Sequence, residues 1–127
     1  HSCGSVTKAG DLLIEAGVDI LNSLQPRAAG MDTTYLKDKF GDKLSFHGGI
    51  DIQKVMPNGT VEDVENEVKR RIAIYAPEGG YILCAAHNIQ DDVPPENVIA
   101  LYKAVEKWGN YPLDDKLIKL RRAIPKK

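Results

Sequence analysis

The sequence predicts an α/β fold in which parallel strands are joined by helical crossovers, arranged as a barrel in preference to an open sheet. Three observations predict it. Short apolar runs alternate with amphipathic stretches in the order strand end, helix, strand, helix, strand, helix, strand, helix, which is how parallel strands with right-handed crossovers read. Polar residues gather where each run ends: His1 and Cys3, Asn22 and Gln25, His47 and Asp51, His87 and Asn88. Ligands bind at that C-terminal edge in both α/β barrels and open α/β sheets. None of the first crossovers carries G-x-G-x-x-G or a phosphate loop, so a nucleotide-binding open sheet lacks its usual signature.

Each element has its own local grounds. Val6, Ala9, Leu12, Leu13 and Ala16 share one face, which predicts a helix over about Ser5–Ala16 ended by Gly17. Val18–Asn22 is short enough to be a strand, and a loop from Ser23 to Gly30 holds Gln25 and Pro26. Asp32 is a good N-cap, Met31 can staple onto Leu36, and Gly41 closes a helix whose apolar face is Leu36 and Phe40. Leu44–His47 is the next strand, closing on Gly48-Gly49-Ile50-Asp51, where paired glycines allow close approach of a ligand or backbone. Thr60, with Asp63 three residues on, caps a helix that buries Val61, Val64, Val68, Ile72 and Tyr75. The run Tyr81–Ala85 is uniformly apolar and needs cover on both faces. Pro94 and Pro95 open a helix with Val98, Leu101, Tyr102, Val105 and Trp108 inward, and Asp114–Ile124 is a short last helix.

The 127 residues suffice for one domain with a real core, without an internal linker or repeat. A net charge of −1 gives no reason to expect nucleic acid or an anionic membrane as partner. The apolar runs fall far short of a transmembrane helix and no signal peptide is visible. Two cysteines, Cys3 and Cys84, make no disulfide framework, so a cytoplasmic protein with free or metal-bound thiols is expected. The chain opens on His1-Ser2-Cys3-Gly4 without methionine, as a cut terminus would.

Chemistry concentrates in few places. His1 and Cys3, two apart at a strand end, share a face, and imidazole plus thiolate suits zinc. A catalytic zinc keeps three protein ligands, and either His87 or Cys84 could be the third; in a regular strand the two would point to opposite faces. His87, nearer the rim, is favoured. The bland alternative makes His1 a frayed end and Cys3 a small packed residue. Asp51 could orient a ligand histidine, bind substrate or form an Asx turn, and Gln25 could contact substrate or brace its loop. His47 reads as a satisfied core histidine. The charges Glu62, Glu65, Glu67, Lys69, Arg70 and Arg71 read as a solvated helix face. Lys116, Lys119, Arg121, Arg122, Lys126 and Lys127 read as a solubilising basic tail.

The segments HSCG, AGVDILNSLQP, AAGMD, FHGGID and GGYILCAAHNIQDDVPPENV together resemble the C-terminal half of the uroporphyrinogen decarboxylase superfamily, over nearly the whole chain. The resemblance implies half of a (β/α)8 barrel, with His1–Cys3 ending the fifth strand and Val18–Asn22, Leu44–His47 and Tyr81–Ala85 as the sixth to eighth. It also implies two branches. The decarboxylases are metal-free, act on a tetrapyrrole, and carry a histidine in a GHGI-like segment where His87 falls. The other branch holds zinc-dependent methyltransferases that work with corrinoid proteins and thiols or methoxylated compounds. They bind zinc through a His-x-Cys pair and a later cysteine. His1 and Cys3 match that pair, and His87 stands where the later cysteine is usual. The resemblance thus implies zinc on His1, Cys3 and His87, with Asp51 and Gln25 positioning substrate or ligands and a corrinoid protein as partner. Cofactor-free decarboxylation is the alternative, and an inactive half-barrel is a third. A complete barrel needs about 250 residues. Four strands cannot close the ring, so a second polypeptide, a symmetric copy or an N-terminal half is expected to cover the bare edges.

Overall fold

A computed structural model describes residues 1–125; Lys126 and Lys127 of the expected basic tail lie outside the described residues. Three parallel strands, β1 (Ile20–Ser23), β2 (Ser45–Ile50) and β3 (Tyr81–Ala85), form one sheet in that order. Before β1 a 3₁₀ turn over Thr7–Ala9 leads into helix α1 (Gly10–Glu15). Helices α2 (Thr33–Phe40), α3 (Val55–Asn58), α4 (Val61–Tyr75), α5 (Pro95–Trp108) and α6 (Asp115–Ala123) follow in the intervals expected of crossovers. The arrangement is α/β and matches part of a (β/α)8 barrel. The fourth expected strand, ending at His1–Cys3, is not formed among the described residues. The Ser2 N–H donates to the Asn22 carbonyl at 2.8 Å, so the chain's first residues lie along the outer edge of β1.

The borders follow from local chemistry. The Asp32 carboxylate accepts from the Tyr35 N–H at 2.9 Å and starts α2. At α4 the capping box closes both ways, Asp63 N–H to Thr60 Oγ1 and Thr60 N–H to the Asp63 carboxylate. The first helix begins later than the apolar spacing suggests, since Thr7–Ala9 winds as 3₁₀. β1 starts two residues and ends one residue later than expected, and β2 runs on through both glycines. Gly48 is required there: its φ is +119°, and an added Cβ would meet the Ser23 carbonyl oxygen of β1 at 2.1 Å.

The helices cover one face of the sheet. Leu21, Phe46, Ile74 and Tyr75 form one buried cluster with α2, while Ile50, Val64, Val68, Ile72, Leu101 and Trp108 form the other around α4 and α5. The register pairs Leu21 with Phe46 and Phe46 with Tyr81 on this side, and Asn22 with His47 and Ile82 on the other. No helix among the described residues covers that second face. Ile82 is therefore 48% exposed, where the sequence reading expects a strand buried on both sides.

Four further side chains depart from the sequence expectation. Tyr102 is 67% exposed because the face of α5 packed inward is Asn97, Ala100, Leu101, Ala104 and Trp108, which turns position 102 outward. Val61, in the first turn of α4, is half exposed. Glu67 and Arg71 are buried, not solvated, with 9% and 7% of their surface exposed. They pair across one turn, Arg71 Nη2 to Glu67 Oε1 at 2.7 Å, and Arg71 also donates to Thr33 Oγ1 of α2. Packing of α2 on α4 puts this part of the polar face inside. No helix among the described residues is long and apolar enough to cross a membrane.

Candidate metal centre

The uncovered sheet face and the strand ends above it frame a cavity of about 820 Å³. His1, Asn22, His47, Cys84, His87 and Asn88 supply its polar lining, and Leu83, Ile89, Leu101 and Val105 its apolar wall. His1 and Cys3 meet at its rim: His1 Nε2 lies 3.4 Å from Cys3 Sγ. Asn22 orients the imidazole. Its Nδ2 donates to the His47 carbonyl at 3.1 Å, which turns Oδ1 towards His1 Nδ1 in a short hydrogen bond. An oxygen acceptor there assigns the ring proton to Nδ1 and leaves the Nε2 lone pair facing the thiol.

The loop carrying the pair is tied down at several points. Gln25 Oε1 accepts from the Gly4 N–H at 2.8 Å, directly after Cys3, and Ser23 Oγ donates to the Ser2 carbonyl. The turn that brings Gln25 back runs through Leu24 at φ +60°, a left-handed conformation unfavourable for leucine, with its side chain buried. Val6, also buried, anchors the far end through its N–H to Met31 Sδ.

His87 and Cys84 both line the cavity. A regular strand would send them to opposite faces, but β3 ends at Ala85 and the chain bends at Ala86 and His87, which breaks the alternation. Burial pushes the Cys84 thiol above its ordinary range, so it stays protonated at neutral pH.

Asp51 and Gln25 are not among the cavity's lining residues. Asp51 is 3% exposed and its carboxylate is fully engaged, accepting from the Gln53 and Lys54 N–H groups and from Arg27 Nε at 2.6 Å. The Asx turn considered from the sequence is thus present. Gln25 braces the His1–Cys3 loop through Gly4. Sequence reasoning placed Asn22 and His47 at the ligand-binding edge of the strands without giving either a role in the site.

The donors fit zinc in part. Two ligands on one tetrahedral zinc, at bond lengths of about 2.0–2.1 Å for nitrogen and 2.3 Å for sulfur, stand about 3.5 Å apart, close to the His1–Cys3 separation. Among the described residues no group of three or more His, Cys, Asp or Glu side chains is gathered tightly enough to hold an ion. His87, the expected third donor, lines the cavity with His1 without closing on the pair, and Cys3 is not among the lining residues.

A family model described as uroporphyrinogen decarboxylase (URO-D) matches residues 1–108. The chain belongs to this family. Among its relatives is a uroporphyrinogen decarboxylase of Alkalilimnicola ehrlichii, 31% identical over 56% of this chain and 19% of that protein. A uroporphyrinogen decarboxylase of Pseudoalteromonas atlantica is 32% identical over 62% of the chain and 22% of its own length. A methylated-thiol–coenzyme M methyltransferase of Methanosarcina mazei is 27% identical over 91% of the chain and 29% of its length. The chain therefore spans under a third of each of these relatives, and both kinds of enzyme occur among them.

Proposed function

We propose that this chain carries the zinc-binding part of a metal-dependent methyltransferase, one that moves a methyl group between a corrinoid protein and a thiol or a methoxylated compound. The observation behind the reading is the His1–Cys3 approach, with the second imidazole nitrogen held by Asn22. A decarboxylase that uses no metal has no need of an imidazole lone pair turned onto a thiol. The relative named as a methyltransferase, matched over 91% of the chain, adds support.

In this reading His1, Cys3 and His87 hold the ion. The chemistry a zinc ion supplies when bound is Lewis acidity, which favours the thiolate over the thiol or polarises the oxygen of a methyl donor. The chain's own residues do the rest. Asn22 keeps the proton of His1 on Nδ1, as metal-binding histidines usually require of a neighbour. Gln25 and the buried Leu24 hold the loop in place. Leu83, Ile89, Leu101 and Val105 exclude water from one side of the cavity. Asp51 acts at a distance, by fixing the turn after β2 and holding Arg27.

The test is metal content. The full-length protein purified without chelator is expected to hold about one equivalent of zinc, and Cys3→Ala and His87→Ala are each expected to lose it. Zinc retained undiminished in Cys3→Ala would end the proposal. Tetrapyrrole decarboxylation is the second reading, favoured by the relatives of that name at 31% and 32% identity. Decarboxylase activity that survives chelation would establish it.

A further inference from the structure

One histidine of the cavity has no part in the site as described. His47 stands in the middle strand, opposite Asn22 of β1 and Ile82 of β3, on the face no helix covers. Its neighbours Phe46 and Gly48 are buried and it is not. A histidine kept inside a strand for packing has its ring nitrogens satisfied. Among the described residues the His47 ring has no hydrogen-bond partner; the Asn22 side chain bonds its backbone carbonyl instead. The expectation of a satisfied core histidine therefore fails.

The rest of the lining says what such a ring could hold. Three imidazoles, from His1, His47 and His87, two carboxamides, from Asn22 and Asn88, the Cys84 thiol and Tyr102 line the space, and among the described residues no aspartate or glutamate does. Donors gathered without a competing carboxylate suit a negatively charged guest. His1 is taken up by Asn22 and Cys3, and Asn22 is engaged through both of its side-chain ends. His47 is thus an uncommitted donor on the cavity floor, within the sheet, while His87 and Asn88 stand beyond the end of β3.

We propose that His47 anchors the substrate, holding a carboxylate at the end remote from the reacting atom, and so sets the specificity of the site. The identity of the reacting end rests on the methyl-transfer reading; the anchoring of the carboxylate does not.

Three probes separate the two: 3-mercaptopropionate, its neutral counterpart 2-mercaptoethanol, and propionate, which has no thiol. Binding is measured by titration calorimetry on the zinc-loaded full-length protein and on its His47→Gln and His47→Leu variants, each checked for zinc content. In the unaltered protein the charged thiol is expected to bind about tenfold tighter than the neutral one, the share of a charge-assisted hydrogen bond. Both variants are expected to lose that preference while keeping their zinc. Addition of propionate alone is expected to shift the ring nitrogen resonances of His47, a readout that needs no variant.

A preference for the charged probe that outlasts both substitutions would overturn the proposal. So would no preference in the unaltered protein, or His47 resonances that propionate leaves unmoved. If the methyl-transfer reading alone is wrong, the thiol adds nothing to the affinity of the charged probe and the dependence on His47 persists. If the anchoring alone is wrong, zinc still binds and the two thiols bind equally well.

Discussion

A single carboxamide joins the parts of the candidate site. Asn22 accepts from the Ser2 N–H through its carbonyl, meets His1 through Oδ1 and donates to the His47 carbonyl through Nδ2. Replacing it with alanine leaves the strand intact and frees the imidazole. Asn22→Ala is expected to weaken zinc binding about 10- to 100-fold, as loss of a ligand's hydrogen-bond partner does, in a competition titration against a chromophoric chelator. A second expectation concerns Tyr75, whose hydroxyl is fully buried without a partner among the described residues, its ring set between Phe46 and Tyr81 at centroid distances of 4.9 and 5.0 Å. Burial raises that hydroxyl's pKa, so it remains a neutral, unsatisfied group. Tyr75→Phe is expected to be neutral or to stabilise by up to about 1 kcal/mol in urea denaturation. At this scale the sequence was partly readable. His1 and Cys3 stand two apart and declare themselves. The roles of Asn22 and His47 come from partners about 20 residues away or more in the chain, which no local spacing encodes.

Element borders were legible wherever a cap or a glycine marks them: Asp32 for α2, Thr60 and Asp63 for α4, and the run Tyr81–Ala85 as a strand. The inner part of the polar face of α4 was not. Glu67 and Arg71 look like a surface pair in sequence, and only the packing of α2, through Thr33, encloses them. Removing one partner strands a buried charge. Glu67→Ala is expected to cost about 3–5 kcal/mol by thermal or urea unfolding, and the double change Glu67→Leu, Arg71→Leu far less. The glycines of β2 set a comparable constraint. Gly48→Ala would press a methyl group onto the Ser23 carbonyl 2.1 Å away in a left-handed conformation. It is expected to part β1 from β2 and lower both stability and zinc content, since β1 carries Asn22.

At the scale of the molecule, one side of the sheet is a finished core and the other is left open by the described helices. Trp108 helps hold the helical side together. Its indole N–H donates to Glu65 at 2.8 Å, Lys107 and Lys69 reach the same carboxylate at 3.0 and 3.2 Å, and these three hold the Glu65 carboxyl at about 2. A carboxyl depressed in the folded state contributes stability above its ordinary range, near 4.5, and loses it as pH falls towards about 2. Glu65→Gln is therefore expected to flatten the stability–pH curve between those values, read from urea midpoints. The other side explains what the sequence could not resolve. Ile82 reads as an interior residue and lies half exposed, because no helix among the described residues covers its face of the sheet. Branch assignment is the same problem: relatives of both names match the chain, and the proposed reading rests on the His1–Cys3 approach.

The most direct test of the account is the zinc-edge X-ray absorption spectrum of the zinc-loaded full-length protein. The account expects one sulfur and two imidazole nitrogens as the protein donors, with the sulfur signal gone in Cys3→Ala. A protein that retains no zinc, or a zinc ion surrounded only by nitrogen and oxygen, would contradict it.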